Sequence, residues 1–193
     1  AATAETNPQA RPQTPSLGVG AGMTLPSEPL SLDTASVRIR FNDNVAFEPI
    51  IGFARASSES ELETADDAYT SEYSESGFEL NALLRYTATE RGRVAAQGLA
   101  GLGFTTLNTE TDPDGKNNDL VTETTALTVS WGFGLECFFG PHWSVSADAT
   151  NPLYASVSYL EEDEVSDTTS TTSGSGFSLA VDPTVRFMVH MNF

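Results

Sequence analysis

Few side chains in this sequence have the chemistry of a nucleophile or an acid–base catalyst. Among its 193 residues the chain has two histidines, His142 and His190, and a single cysteine, Cys137. A Ser/His or Asp/His catalytic set would have to lie beside an accessible surface site. His142 belongs to a short turn and His190 lies near the end of the last strand, so neither can reach the long polar segments. Alternation places Cys137 outward as a small apolar residue. We therefore expect no enzymatic activity.

One segment has the composition of a calcium loop, namely Asp112-Pro113-Asp114-Gly115-Lys116-Asn117-Asn118-Asp119. Its oxygen ligands alternate as such loops require, but Gly115 comes too early for an EF-hand and Lys116 occupies a ligand position. A Pro-Asp-Gly turn explains the segment equally well. We predict no bound metal and no other cofactor.

Charged side chains also recur at alternate positions within apolar segments. Arg38 and Arg40, for example, alternate with Val37, Ile39 and Phe41. If the apolar positions face outward, the charged ones face an interior, where they must be paired or hydrogen-bonded. The sequence thus predicts a belt of paired charges across a lumen. Its members are Arg38, Arg40, Glu48, Glu79, Arg85, Glu136, Asp148, Asp182, Arg186 and His190.

The elements that carry these charges alternate with a period of two, which is typical of strands. The last one is the clearest, because every odd position from Phe177 to Phe193 is apolar. Seven further alternating segments precede it: Leu17–Leu25, Val37–Phe41, Val45–Phe53, Phe78–Tyr86, Val94–Phe104, Leu127–Phe139 and Trp143–Leu153. Eight strands are an even number, as closure of an antiparallel barrel favours. The sequence predicts an all-β fold, a transmembrane eight-stranded antiparallel up-and-down β-barrel.

The predicted connections between these strands alternate in length. Short turns fall at residues 42–44, 90–93 and 140–142, and long polar loops at 57–77, 109–120 and 161–176. Short periplasmic turns and long extracellular loops are typical of outer-membrane barrels, so we expect both termini in the periplasm. Residues 1–15 show no periodicity and are predicted to form an extended periplasmic tail before a barrel of residues 16–193. The three loops carry 16 acidic residues, which could collect divalent cations, steer a basic partner or keep an exposed surface solvated.

Aromatic residues fall at two levels of the outward face. Two such belts, separated by aliphatic residues, fit the two lipid–water interfaces. A soluble β-sandwich or lipocalin-like barrel is the alternative, but its core could hardly hold so many bulky rings. The belt beside the short turns contains Phe41, Phe47, Tyr86, Phe139, Trp143 and Phe193, and the other contains Phe53, Phe78, Phe104 and Trp131.

Two segments resemble a known family. The ending Val185-Arg186-Phe187-Met188-Val189-His190-Met191-Asn192-Phe193 resembles the C-terminal signature of bacterial outer-membrane proteins. The stretch from Gly134 to Val145 looks like the strand-turn-strand of small OmpA/OmpX-type eight-stranded barrels. The resemblance implies a location in the outer membrane, with Phe193 as an assembly signal that the barrel-assembly machinery reads. It does not imply a role, since the superfamily includes anchors, adhesins, small channels and a few lipid enzymes.

Net charge restricts the partners. The formal charge of −18 argues against nucleic acid, whose phosphates need clustered Lys and Arg. The expected partners are outer-membrane lipid, the assembly machinery and, through the tail, another outer-membrane or periplasmic protein. We predict a structural or partner-anchoring role with a lumen closed by paired charges. The alternative is a narrow gated channel for ions or small solutes.

Overall fold

The computed structural model describes residues 11–25, 33–63, 68–112, 120–163, 168–177 and 183–193. It contains nine strands: β1 (Ser16–Leu25), β2 (Thr34–Arg40), β3 (Val45–Glu63), β4 (Ala68–Arg91), β5 (Val94–Asp112), β6 (Leu120–Phe138), β7 (Trp143–Asp163), β8 (Thr168–Phe177) and β9 (Thr184–Asn192). No helix in these ranges is long and apolar enough to cross a membrane.

The strands form one closed antiparallel ring. Each strand from β1 to β7 pairs with the next one, β7 also pairs with β9, and β9 returns to pair with β1. β8 and β9 share the eighth position, because β8 pairs with Tyr154–Asp163 of β7 and β9 with Trp143–Thr150. The predicted eight-stranded up-and-down barrel is therefore confirmed.

The last position of the ring differs from its prediction as one unbroken strand. Phe177 pairs with Tyr154 and Thr184 with Thr150, so six residues separate the two pairings on this side and only three on β7. The register therefore shifts between the two strands. Pro183 directly precedes β9 and has no backbone N–H to continue a ladder. Alternation of side chains does not reveal this break.

The long polar segments are mostly strand, which corrects their prediction as loops. β3 and β4 pair without interruption up to Glu63 and Ala68, and β5 and β6 up to Thr111 and Leu120. These strands have 19 to 24 residues, whereas about 9–11 suffice to cross a membrane. Their outer parts are polar in sequence, so backbone pairing continues there without the apolar alternation that marks a membrane strand.

Side chains of the barrel are distributed in the opposite way to those of a soluble protein. Large apolar residues are exposed on the outside, among them Leu102 at 63% and Phe133 at 66%, while Arg38 and Glu136 inside are fully buried. Such an outer surface requires a lipid environment.

The aromatic residues of both predicted belts follow the outward alternation. Phe78 and Tyr86 lie eight residues apart on β4, roughly 27 Å along a strand. With a tilt of about 40°, this gives about 20 Å along the membrane normal, close to the apolar band of outer-membrane barrels. Phe53 and Phe78 pack against each other with ring centroids 5.6 Å apart. Phe47, Phe78 and Phe104 are half-buried, and the other members of the two belts are exposed.

Candidate functional site

A buried carboxylate on β3 lies at the centre of the lumen in the half beside the short turns. Glu48 Oε2 accepts hydrogen bonds from Arg38 Nε at 2.9 Å and from Arg85 Nε at 2.5 Å. Its other oxygen lies 2.7 Å from Ser36 Oγ and 2.7 Å from His190 Nε2. Because β2, β3 and β4 are neighbours and Glu48 points inward from the middle one, the two arginines reach it from both sides.

A second carboxylate, Glu136 on β6, approaches from the opposite wall. Its Oε1 accepts from Arg38 Nη1 at 2.7 Å and from Arg40 Nη2 at 2.5 Å. Gln97 donates from Nε2 to Oε2 of Glu136 at 3.0 Å. The Arg38 guanidinium therefore bridges the lumen between Glu48 and Glu136.

Arg85 extends the same network to β7. It binds Asp148 through both terminal nitrogens and donates to Gln97 Oε1 at 3.0 Å. The network thus joins Arg38, Arg40 and Arg85 to Glu48, Glu136 and Asp148, and we call these six residues the charge network. The three positive and three negative charges of the network sum to zero, and no member is more than 2% exposed. Good hydrogen-bond geometry of this kind offsets the cost of removing charges from water.

Glycines on neighbouring strands leave room for the charge network and for His190. A Cβ on Gly20 would lie 2.5 Å from Cδ2 of His190 and 2.7 Å from Ser36 Oγ. A Cβ on Gly134 would lie 2.5 Å from Oδ1 of Asp148. Polar side chains of other strands therefore fill the space beside Gly20 and Gly134.

Two further residues of the predicted belt, Glu79 and Arg186, form a separate pair towards the long hairpins, whereas His190 contacts Glu48. Arg186 Nη2 binds Glu79 Oε1 at 2.9 Å, and Arg186 Nε donates to Thr24 Oγ1 at 3.3 Å. Glu79 keeps 32% of its side chain exposed. Asp182 lies outside the described residues.

The mouth of the lumen beside the short turns holds a contact that the sequence did not predict. Arg11 Nη1 binds Glu90 Oε2 at 2.6 Å, and its guanidinium also donates to the carbonyl of Asp43. The same guanidinium lies 5.6 Å from the ring centroid of Phe138, which also packs against Arg40 at 5.3 Å. Phe138 is fully buried at an inward position. Only the isolated positive charge in the polar segment before β1 could have indicated this contact.

The groups considered for catalysis do not form a reactive set. His190 belongs to the Glu48 cluster, and His142 Nδ1 lies 3.2 Å from the carbonyl of Asn192 in a short turn. Cys137 is a free, half-exposed thiol. Within the described ranges, no three His, Cys, Asp or Glu side chains are grouped to hold a metal ion. Most of the calcium-like segment, residues 113–119, lies outside them.

The closed ring and its apolar outer surface are those of an outer-membrane barrel. Residues 4–182 match the family described as outer membrane protein beta-barrel domain. The chain belongs to this family. It is therefore a protein of the bacterial outer membrane, from a family of barrel proteins that are generally not enzymes.

Several solved structures of outer-membrane proteins align with most of the chain. A major outer membrane protein from Thermus thermophilus aligns with a TM-score of 0.56 and 14% identity, over 92% of this chain and 98% of that one. Ail, the attachment invasion locus protein of Yersinia pestis, gives a TM-score of 0.44 and 14% identity over 92% and 97% of the two chains. CarO of Acinetobacter baumannii gives 0.42 and 13% over 95% and 100%. No curated protein sequence matches the chain.

Proposed function

We propose that the protein is a closed, non-enzymatic barrel that anchors a partner through the sheet that it projects beyond the outer membrane. The charge network is the main observation in support of a closed barrel. It connects β2, β3, β4, β6 and β7 across the lumen with no member more than 2% exposed. Because an eight-stranded barrel has an interior just wide enough for side chains, such a network takes the place of a pore.

The proposed orientation follows the general pattern of outer-membrane barrels. The short turns and both termini would face the periplasm, and the long hairpins the cell exterior. Phe193 directly follows β9, and its side chain is 66% exposed, in keeping with a role as assembly signal. In this orientation Arg11 lies at the periplasmic mouth of the barrel. The tail residues before Arg11 would then be in the periplasm, where they could contact a partner.

The projecting sheet supports the anchoring role. Residues 170–176 of β8 are all exposed, and within the described part of the chain β8 pairs with β7 alone. A free strand edge of this kind can accept an additional strand from another protein through backbone hydrogen bonds. The sequence of β8, TTSTTSGSGF, has neither a charge nor a proline that would block such pairing. The opposite edge, residues 54–58 of β3, is exposed as well.

Site-specific photo-crosslinking in native outer membranes tests the anchoring role. A photoreactive residue at Thr172, on the β8 edge, should give a discrete protein adduct. The matched control is Leu102, which faces lipid and should give no protein adduct. Adducts of equal intensity at both positions, or none at Thr172, would contradict anchoring through this edge.

A gated channel is the second candidate. It is favoured by one observation, a cavity of about 210 Å³ in the lumen on the long-hairpin side of the charge network. A channel would require the charge network to open, and single-channel recording distinguishes the two functions.

A further inference from the structure

The lumen contains unfilled space between the charge network and the long hairpins. An inner compartment of about 210 Å³ and a wider outer one of about 410 Å³ both have Glu79 and Thr105 in their walls. We call the two compartments together the outer cavity. The charge network lies beneath it, so the outer cavity is a blind pocket and not a passage.

The inner compartment has a polar wall with an unsatisfied acceptor. Its wall includes Thr128, Ser130, Thr150 and Asn151. Asn151 is only 5% exposed, and its Oδ1 has no hydrogen-bond partner within the described residues. A buried amide oxygen without a donor costs about 1–3 kcal/mol, so a ligand that supplied a donor to it would be favoured.

Glu79 provides a second acceptor where the two compartments meet. Its Oε1 is bound by Arg186 and by Asn81 Nδ2. Its Oε2 lies 3.1 Å from the position that a Cβ on Gly52 would take. Gly52 therefore lets the Glu79 side chain pack closely against β3, and this side chain remains 32% exposed.

The charge around the outer cavity is negative. Asp33, Glu75 and Glu79 are in its walls, against Arg55 and Arg186. Carboxylates around a cleft with low-dielectric walls raise the local concentration of cations. The acidic hairpins above add to this field, since the whole chain has a net charge of −18.

We propose that the outer cavity binds a small organic cation that carries primary ammonium groups. An ammonium has three donors and no acceptor, which matches the unsatisfied Oδ1 of Asn151 and the partly exposed carboxylate of Glu79. An anion would meet the carboxylates, and a neutral polyol would gain nothing from the field. This binding site is additional to the anchoring role and does not depend on it.

Isothermal titration calorimetry of the full-length barrel in detergent micelles tests the proposal with three probes of similar length. We expect 1,4-diaminobutane to bind, and 1,4-butanediol and succinate to give no heat of binding. Glu79→Gln keeps the shape of the side chain and removes its charge, and Asn151→Ala removes the acceptor. Each should weaken diamine binding about tenfold or more, as the loss of a charge-assisted hydrogen bond would.

Glu110→Gln is the matched control, because Glu110 is exposed on β5 and is in the wall of neither compartment. It makes the same change in net charge and should leave the affinity unaltered. Heat-modifiable mobility on a gel verifies that each variant is folded. If Glu79→Gln does not fold, the effect of Asn151→Ala on diamine affinity tests the proposal. Absence of diamine binding, equal binding of the diol, or equal loss in Glu110→Gln would overturn the proposal.

Discussion

Removal of the carboxylate of Glu48 should be among the most damaging single changes in the barrel. Glu48→Ala leaves the guanidinium groups of Arg38 and Arg85 buried without this shared anion. Breaking a buried ion pair on one side typically costs about 3–5 kcal/mol. Both arginines retain other carboxylates, Glu136 and Asp148 respectively, so we expect a loss within that range and not twice as large. It corresponds to about two to four orders of magnitude in the ratio of folded to unfolded protein.

Urea unfolding in lipid vesicles, followed by tryptophan fluorescence, measures this loss. Glu48→Gln should cost less than Glu48→Ala, because the amide oxygen still accepts a hydrogen bond in the same place. Glu110→Ala removes an exposed carboxylate and should change the free energy of unfolding by less than about 0.5 kcal/mol. If Glu48→Ala and Glu110→Ala had the same unfolding midpoint, the charge network would not be a structural element of the barrel.

Three further changes test other parts of the structure. Gly132→Ala would bring a Cβ into collision with the carbonyl oxygen of Ala149, a backbone atom. It should reduce the yield of folded barrel, measured by heat-modifiable mobility on a gel. Leu102 lies between the two aromatic belts, so Leu102→Arg should lower the free energy of unfolding in vesicles by about 2–4 kcal/mol. Leu120 lies beyond the belts, and Leu120→Arg should be nearly neutral. Equal effects of the two variants would contradict the assigned membrane span. Arg11→Ala removes a partly exposed ion pair and a cation–π contact and should lower stability by about 1 kcal/mol; an unchanged urea midpoint would show that Arg11 does not hold the mouth.

The transmembrane part of the fold was predictable because lipid imposes alternation on it. From Val45 to Phe53 and from Leu127 to Phe138, the apolar face is required by the membrane and the polar face by the lumen. The projecting parts of β3, β4 and β8 were missed as strands because water on both faces imposes no such pattern. These parts are strands because each pairs with a neighbouring strand, and the pattern of a single segment does not show that pairing. The break between β8 and β9 was missed for the opposite reason, since alternation continues across it although the register does not.

The candidate site was predictable as a set of residues and not as a set of contacts. Alternation placed Arg38, Glu48 and Arg85 in one belt of inward charges, and the structure has both arginines bonded to Glu48. Alternation alone could not separate the Glu79–Arg186 pair from the charge network, because strand tilt and stagger determine height in the lumen. Arg11 was missed since it lies before the first strand, where no periodicity relates a residue to the lumen.

Conductance across a planar bilayer tests the central claim most directly, which is that the charge network closes the lumen. The wild-type barrel should show no discrete openings. Arg85→Ala and Glu136→Gln remove opposite signs from the charge network, and both should remain silent, since the lumen of an eight-stranded barrel stays filled by the other side chains. Discrete openings in the wild type that change in size or frequency in either variant would contradict closure and would make the charge network a gate.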